Sequence, residues 1–108
     1  MSLTINIHYT GKDGAARRFA EEMEASGTAD AIRAEEGSLV YRYYFPADDP
    51  ECVLLVDRWC DQAALDAHHS SPMMARIAEL RDKYDLHMHV ERFAELGDDG
   101  NDKSFIRE

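Results

Sequence analysis

Apolar and polar residues alternate in short stretches that predict β-strands. From Leu3 to Tyr9 every second residue is apolar, which is typical of a strand with one buried face. The stretch from Leu86 to Phe93 alternates in a similar way. By contrast, Leu39–Phe45 and Cys52–Trp59 carry apolar residues on both faces, which indicates strands that are covered on both sides.

Helical spacing predicts the element between the first two strands. Ala15–Ala25 repeats apolar residues at intervals of three and four, with Asp13 as its expected N-cap. After it, the sequence allows either a bend in one helix or a second short helix that Thr28 caps and that turns Ile32 inward. Gly37 then ends the helical segment.

Two further helices are predicted between the third and fourth strands. Asp61 is the expected N-cap of a short helix that ends at His69. Ser71 is the expected N-cap of the next helix, with Pro72 at its first position. The apolar stripe of that helix is formed by Met73, Ile77, Leu80 and Tyr84.

The resulting order βαββαβ predicts an α+β, ferredoxin-like fold. Two split βαβ units form a four-stranded antiparallel sheet, and the helices lie on one of its faces. We expect this domain to span residues 1–94, followed by a flexible or partner-docking tail at 95–108. Because the second and third strands are apolar on both faces, one apolar sheet face stays uncovered. A homodimer packed through that face would bury it.

The composition narrows the classes of partner. The chain has 108 residues, 44% of them hydrophobic, and a formal net charge of −10. That charge argues against nucleic acid or an anionic membrane as a partner, since both attract clustered Lys and Arg. The first residues lead into a strand without a signal peptide, and no apolar run can span a bilayer, so a cytoplasmic location is expected. Cys52 and Cys60 are expected to be reduced thiols.

Four motifs in a fixed order carry a family resemblance. They are E-G-x-L-x-Y at Glu36–Tyr41, the Asp-Arg-Trp triplet at Asp57–Trp59, A-L-x-A-H at Ala64–His68 and S-P-x-M at Ser71–Met74. No single motif is specific, whereas their order and spacing together are more so. Over roughly Leu3–Phe93 the chain resembles the antibiotic biosynthesis monooxygenase family.

The resemblance implies both an assembly and a reaction. It implies a ferredoxin-like fold and a dimer in which two sheets form an α+β barrel. It also implies oxidation of quinol-like or polycyclic aromatic substrates, with O₂ as co-substrate and no bound cofactor.

Haem-degrading members of the family differ from this chain in their side chains. They use an Asn on the first strand, a Trp on the helix after the third strand and a His on the next helix. Asn6 matches the first of these, but His68 stands where the Trp is expected, and the next helix offers no His. Haem degradation is therefore disfavoured.

His68 is the leading candidate for a catalytic residue. It follows Ala64 by four positions and Leu65 by three, so it lies on the apolar face of its helix. An imidazole titrates near neutral pH and suits a general base that deprotonates a phenol. A histidine at the edge of the core, bonded to a backbone carbonyl, is the competing interpretation, and the two are about equally supported.

The residues expected to bind a small aromatic ligand are Asn6, Tyr41, Tyr43, Trp59, Met73, Met74 and Ile77. Trp59 suits stacking against a ring, although the last core residue of a strand is the more common role. The two methionines suit an adaptable pocket wall, but they also fill gaps in a core. Tyr41 and Tyr43 share a face with Leu39 and Phe45, and alternation does not decide whether that face lines a cavity or a sheet-to-sheet interface.

Three histidines raise the question of a metal site. His87 and His89 lie on one face of the fourth strand, which in this fold neighbours the first strand and His8. Histidines on strands are more often solvent or interface residues, so no metal site is expected. The sequence also lacks a phosphate loop and a dinucleotide fingerprint.

Three functions are consistent with these residues. The first is a cofactor-independent monooxygenase that oxidises a quinol-type aromatic with O₂. The second is a non-catalytic small-molecule-binding or stress-response dimer, which a fully packed interior and a backbone-bonded His68 would favour. The third is a cofactor-free isomerase of a small oxygenated metabolite, which would consume no O₂.

Overall fold

Within residues 1–107, which the computed structural model describes, strands and helices follow the predicted order βαββαβ. The strands are β1 (Leu3–Thr10), β2 (Ser38–Tyr44), β3 (Cys52–Trp59) and β4 (His87–Ala94). The helices are α1 (Ala15–Ala25), α2 (Thr28–Arg33), α3 (Gln62–His69) and α4 (Met73–Lys83). Each helical connection is thus divided into two helices, which selects the second short helix over a bend.

The strands form one antiparallel sheet in the order β2-β3-β1-β4, which confirms the predicted ferredoxin-like topology. β1 lies inside the sheet, where Ile7 pairs with Leu55 of β3 and with Val90 of β4. Alternation along β1 turns Ile5, Ile7 and Tyr9 toward the helices.

The core lies between the helices and this face of the sheet. α1 contributes Phe19 and Met23, which are fully buried, and α2 contributes Ile32. Phe19 packs against Tyr9 of β1 with 4.9 Å between ring centroids. Burial of each such apolar side chain stabilises the fold by roughly 1.5–3 kcal/mol. At the end of β3, Trp59 is the largest fully buried side chain.

The sequence prediction is wrong at both ends of β2. Leu39 and Phe45 were expected on the face of Tyr41, but their side chains are 54% and 49% exposed. The register shifts directly after Ser38, which removes Leu39 from the alternation. Phe45 lies beyond the strand, where the guanidinium of Arg17 is 4.8 Å from its ring centroid.

Helix α3 begins as predicted. The side chain of Asp61 accepts a hydrogen bond of 2.8 Å from the backbone N–H of Ala64. This bond satisfies one of the four free N–H groups of the first turn.

The other N-cap predictions are wrong. Gly14 and Gly27 precede α1 and α2 in the left-handed conformation, so neither Asp13 nor Thr28 is the cap. Pro72 precedes α4, and the buried Oγ of Ser71 has no hydrogen-bond partner within residues 1–107.

The second face of the sheet is not covered by helices. Val56 lies on this face in the middle of the sheet. Tyr44 and Phe93 lie on the same face of the edge strands β2 and β4, and they are 45% and 48% exposed. We call this surface the outer face. The residues after the sheet, from Glu95 to Arg107, are exposed throughout.

No helix of residues 1–107 combines the length and the apolar character that crossing a membrane requires.

Gly37 determines how closely α3 approaches the start of β2. Its φ angle is 84°, and its carbonyl accepts a 2.9 Å hydrogen bond from the N–H of Cys60. A Cβ at this position would lie 2.5 Å from the Cβ of Ala64 and 2.9 Å from the Sγ of Cys60. Both the backbone conformation and the contact therefore require glycine.

We predict that Gly37→Ala destabilises the fold more than Gly27→Ala. Both glycines have φ near 80°, but a Cβ at Gly27 meets nothing within 4 Å. Each alanine adds the strain of a left-handed backbone. Only the alanine at position 37 also displaces α3, and this displacement lowers the free energy of unfolding by about 1–3 kcal/mol more. Urea unfolding of both variants measures the difference. Equal losses in the free energy of unfolding would show that α3 yields freely at this contact.

Candidate active site

A cavity of about 240 Å³ lies between the sheet and helices α3 and α4. Most of its wall is apolar, contributed by Ile5, Ile7, Leu65, Met74, Met88 and Val90. Met88 and Val90 belong to the edge strand β4 and are 42% and 46% exposed, so the cavity opens toward that edge. An apolar cleft with a few polar groups is the usual form of a small-molecule site.

Four polar side chains also line the cavity: Asp57, His69, Arg81 and Arg92. Asp57 comes from β3, His69 from the end of α3, Arg81 from α4 and Arg92 from β4. Partial burial is the main cause that lowers the pKa of His69, and positive charges nearby lower it further. This imidazole is therefore neutral at neutral pH. Asp57 is thus the acid–base group of the cavity with the clearest chemical role.

Asp57 is a carboxylate on the buried face of the sheet. It occupies an inward position of β3 and is only 4% exposed. Its Oδ1 accepts a 2.6 Å hydrogen bond from the indole Nε1–H of Trp59. Burial raises the pKa of Asp57 to about 6, because desolvation outweighs the opposing effects of the Trp59 bond and of His68. A carboxylate with such a pKa can accept a proton near neutral pH.

A chain of contacts leads from Asp57 through Trp59 to the surface. The imidazole of His68 stacks on the indole of Trp59 with 4.8 Å between centroids and 22° between planes. The Nδ1–H of His68 donates a 2.6 Å hydrogen bond to the carboxylate of Glu35, which is partly exposed. His68 thereby fixes the orientation of the indole ring that donates the hydrogen bond to Asp57.

Tyrosines occupy the same buried layer next to this chain. Tyr41 and Tyr43 face the helices, and their hydroxyl oxygens are 3.4 Å apart. Burial raises the pKa of both hydroxyls, so both stay protonated. On β1, the hydroxyl of Tyr9 accepts a 3.2 Å hydrogen bond from the guanidinium of Arg81. The tyrosines are therefore neutral polar groups of the interior.

The residues that the sequence proposes for substrate binding lie in three places: at the cavity, in the core, and on the other face of the sheet. Met74 lines the cavity, whereas Ile77 is 2% exposed in the core and Met73 packs against the core. Trp59, His68 and Tyr41 form a buried aromatic cluster that Tyr43 joins through Tyr41, and none of the four lines the cavity. Asn6 pairs with Val56 and Glu91 on the outer face, across the sheet from the cavity.

His68 is buried, as its helical spacing predicts, and is 4% exposed. The backbone carbonyl expected as its partner in the competing interpretation is wrong, because its Nδ1 bonds the carboxylate of Glu35. The next residue, His69, faces the cavity, since consecutive helical residues point about 100° apart.

The three strand histidines do not converge on one point. His8 and His89 are neighbours with 5.9 Å between ring centroids, and Nε2 of His8 contacts Glu91 at 2.8 Å. Within residues 1–107 the ligand atoms of three such groups come within 4.8 Å of one another only at Asp98, Asp99 and Asp102, all exposed.

Sequence reasoning missed the polar lining of the cavity. Asp57 belongs to the Asp-Arg-Trp motif, and its position between Leu55 and Trp59 already places a carboxylate on the apolar face of β3. Arg81 and Arg92 gave no comparable signal, because arginines near the ends of a helix and a strand are usually solvated.

Solved structures of other proteins share this fold. PA3566 from Pseudomonas aeruginosa is 24% identical at a TM-score of 0.75, covering 89% of this chain and 95% of its own. Rv0793 from Mycobacterium tuberculosis is 22% identical at a TM-score of 0.72, covering 92% and 99%. SnoaB, a cofactor-independent oxygenase from Streptomyces nogalater, is 15% identical at a TM-score of 0.75, covering 90% and 95%. These TM-scores show a common fold.

The sequence itself matches a family model. No curated protein sequence matches the chain. Residues 2–80, which include β1 to β3 and most of α4, match the model of the antibiotic biosynthesis monooxygenase family. The matched segment holds Asp57, Trp59 and His68, and it covers more than half of the chain. The chain belongs to the antibiotic biosynthesis monooxygenase family.

Proposed function

We propose that this protein is a cofactor-independent monooxygenase that oxidises a small quinol-type aromatic with O₂. One observation carries the proposal: a buried carboxylate, Asp57, with a pKa raised to about 6, lines an apolar cavity. Such a group suits removal of a proton from a phenol. Family membership and the fold shared with the cofactor-independent oxygenase SnoaB support the reaction class.

The proposed reaction needs no electron carrier, because the substrate is the reductant. Asp57 takes the proton of one quinol hydroxyl, which leaves an electron-rich phenolate. A ring carbon of that anion donates electrons to O₂ and forms a C–O bond, and the proton that returns from Asp57 converts the resulting peroxide anion into a hydroperoxide. Cleavage of the O–O bond with loss of the C–H proton gives a hydroxyquinone and water. One oxygen atom enters the product and the other leaves as water, so quinol and O₂ balance hydroxyquinone and H₂O.

His68 acts in this proposal as a positioning residue and not as the base. It does not line the cavity, and its Nδ1–H already donates a hydrogen bond to Glu35. Through its stack on Trp59 it fixes the indole whose N–H orients Asp57. Met74 and Leu65 would contact the ring of the substrate.

Two observations bear on the alternative functions. The interior is not fully packed, and His68 bonds a carboxylate, so neither feature expected of a non-catalytic dimer is present in residues 1–107. An isomerase would use the same base, because Asp57 could return its proton to another carbon. Consumption of O₂ separates this alternative from the monooxygenase.

We also propose that two copies pack through their outer faces. Val56, Tyr44 and Phe93 are apolar residues on that face, among polar neighbours such as Asn6 and Glu91, and the helices leave the face uncovered. A second copy supplies the same apolar residues across a two-fold axis, which would bury both surfaces.

We predict that Asp57→Asn abolishes most turnover of a quinol and leaves the fold intact. Asparagine keeps an oxygen for the Trp59 N–H but cannot accept the proton, so kcat should fall by about 10²–10⁴-fold. In the unaltered protein kcat should rise with pH through a midpoint near 6, since only the carboxylate is a base. An oxygen electrode measures both.

Two matched variants test the assignment. Asp82→Asn removes an exposed carboxylate of α4 and should leave kcat unchanged. His68→Gln should lower kcat less than Asp57→Asn and keep the pH dependence. If His68→Gln removed the pH dependence while Asp57→Asn retained it, His68 would be the base.

We predict that Val56→Arg converts a dimer into a monomer. The added guanidinium would lie beside Arg42, which pairs with position 56, and beside Arg58 on the same face, so the dimer would bury like charges together. Light scattering after size exclusion should give twice the chain mass for the unaltered protein and the chain mass for the variant. Ala78→Arg, on the exposed side of α4, should remain dimeric. A monomeric unaltered protein at micromolar concentration would refute the proposed interface.

A further inference from the structure

We propose that the substrate carries a carboxylate beside its phenol and that Arg81 and Arg92 bind this anion in the cavity. The inference rests on the proposed function and adds the chemical class of the substrate. It concerns the two guanidinium groups that line the same cavity as Asp57.

The guanidinium of Arg81 is held in place but is not neutralised. It donates to the hydroxyl of Tyr9 at 3.2 Å and lies 5.7 Å from the centroid of that ring. Its Nε is buried and has no hydrogen-bond partner within residues 1–107. A buried guanidinium N–H without an acceptor is costly, so an acceptor from a ligand would be stabilising.

Arg92 approaches the cavity from β4. Its guanidinium donates a 2.7 Å hydrogen bond to the side-chain oxygen of Gln62, which carries no charge. No carboxylate of residues 1–107 forms an ion pair with Arg81 or Arg92. Even Asp57, which shares the cavity, makes none.

Their position distinguishes Arg81 and Arg92 from the other basic residues. Among the lysines and arginines of residues 1–107, only Arg33, Arg76 and Lys83 pair with carboxylates, so the lack of an ion pair is common in this chain. Arg81 and Arg92, however, line the same largely apolar cavity, and the buried Nε of Arg81 has no acceptor within residues 1–107. Two guanidinium groups at one apolar cavity indicate a site for an external anion.

The charges of the cavity are consistent with a substrate of charge −1. Arg81 and Arg92 contribute two positive charges and ionised Asp57 one negative charge, while His69 is neutral. A carboxylate on the substrate brings the sum to zero. When the phenol proton moves to Asp57, the new phenolate replaces the lost negative charge, and the sum stays at zero. A neutral quinol would leave one arginine charge unbalanced throughout.

The volume of the cavity limits the size of this substrate. Pockets for drug-sized ligands span roughly 300–1,000 Å³, and this cavity has about 240 Å³. One or two fused rings with a carboxylate therefore fit better than a larger polycyclic system.

The test compares two probes that differ only by the carboxylate, 3-hydroxy-2-naphthoate and 2-naphthol. Isothermal titration at pH 7.5 should show that the naphthoate binds at least about tenfold tighter than the naphthol. Arg81→Gln and Arg92→Gln should each weaken the naphthoate by about tenfold and change naphthol binding less than about twofold. Arg81→Lys, which keeps the charge, should retain part of the affinity. Arg107→Gln, in the exposed tail, should change neither.

Three outcomes would overturn the inference: equal affinity of the two probes, an equal loss of both in the arginine variants, or binding of neither. Failure of the proposed function is a separate result. Arginine-dependent binding of the naphthoate without O₂ consumption on any reduced quinol would overturn the monooxygenase alone. Oxidation of a neutral quinol with a kcat/KM equal to or above that of its carboxylated analogue would overturn the carboxylate alone.

Discussion

The hydrogen bond from the indole of Trp59 to the carboxylate of Asp57 is the interaction on which this structure depends most. It satisfies two buried polar groups within one strand, at the point where the sheet meets α3. Trp59 can be buried completely only because its N–H has this acceptor, since an unpaired indole N–H would be costly. Its ring then provides the surface for His68, whose bond to Glu35 ties α3 to the end of α2.

The same bond leaves Asp57 between two protonation states. Desolvation favours the acid, while the Trp59 N–H and the neighbouring His68 favour the carboxylate, and the pKa of about 6 reflects this balance. At neutral pH the ionised carboxylate lowers the free energy of unfolding, because the folded state holds the proton more tightly than the unfolded chain does. A buried carboxylate with a raised pKa is typical of functional sites, where it can accept and return a proton near neutral pH.

The sequence predicts the fold well and the site poorly, for physical reasons. Period-two and period-three-to-four patterns report burial, and burial determines where Leu3–Thr10, Cys52–Trp59 and α4 lie. The bulge at Leu39 follows from pairing with β3, which no local pattern contains. The residue type alone marks His68 as a candidate, but the cavity is lined by residues of five elements, so the sequence does not connect Arg81 and Arg92 to Asp57 without the fold.

The protonation of Asp57 in the folded protein tests the account most directly. Carbon-13 NMR of aspartate-labelled protein, with the Asp57 signal assigned by its absence in Asp57→Asn, follows the carboxyl group from pH 3 to 8. The account predicts a midpoint near 6 and a parallel shift of the Trp59 indole N–H signal. A midpoint at the ordinary aspartate value of about 3.9, or an indole signal that does not respond, would contradict it.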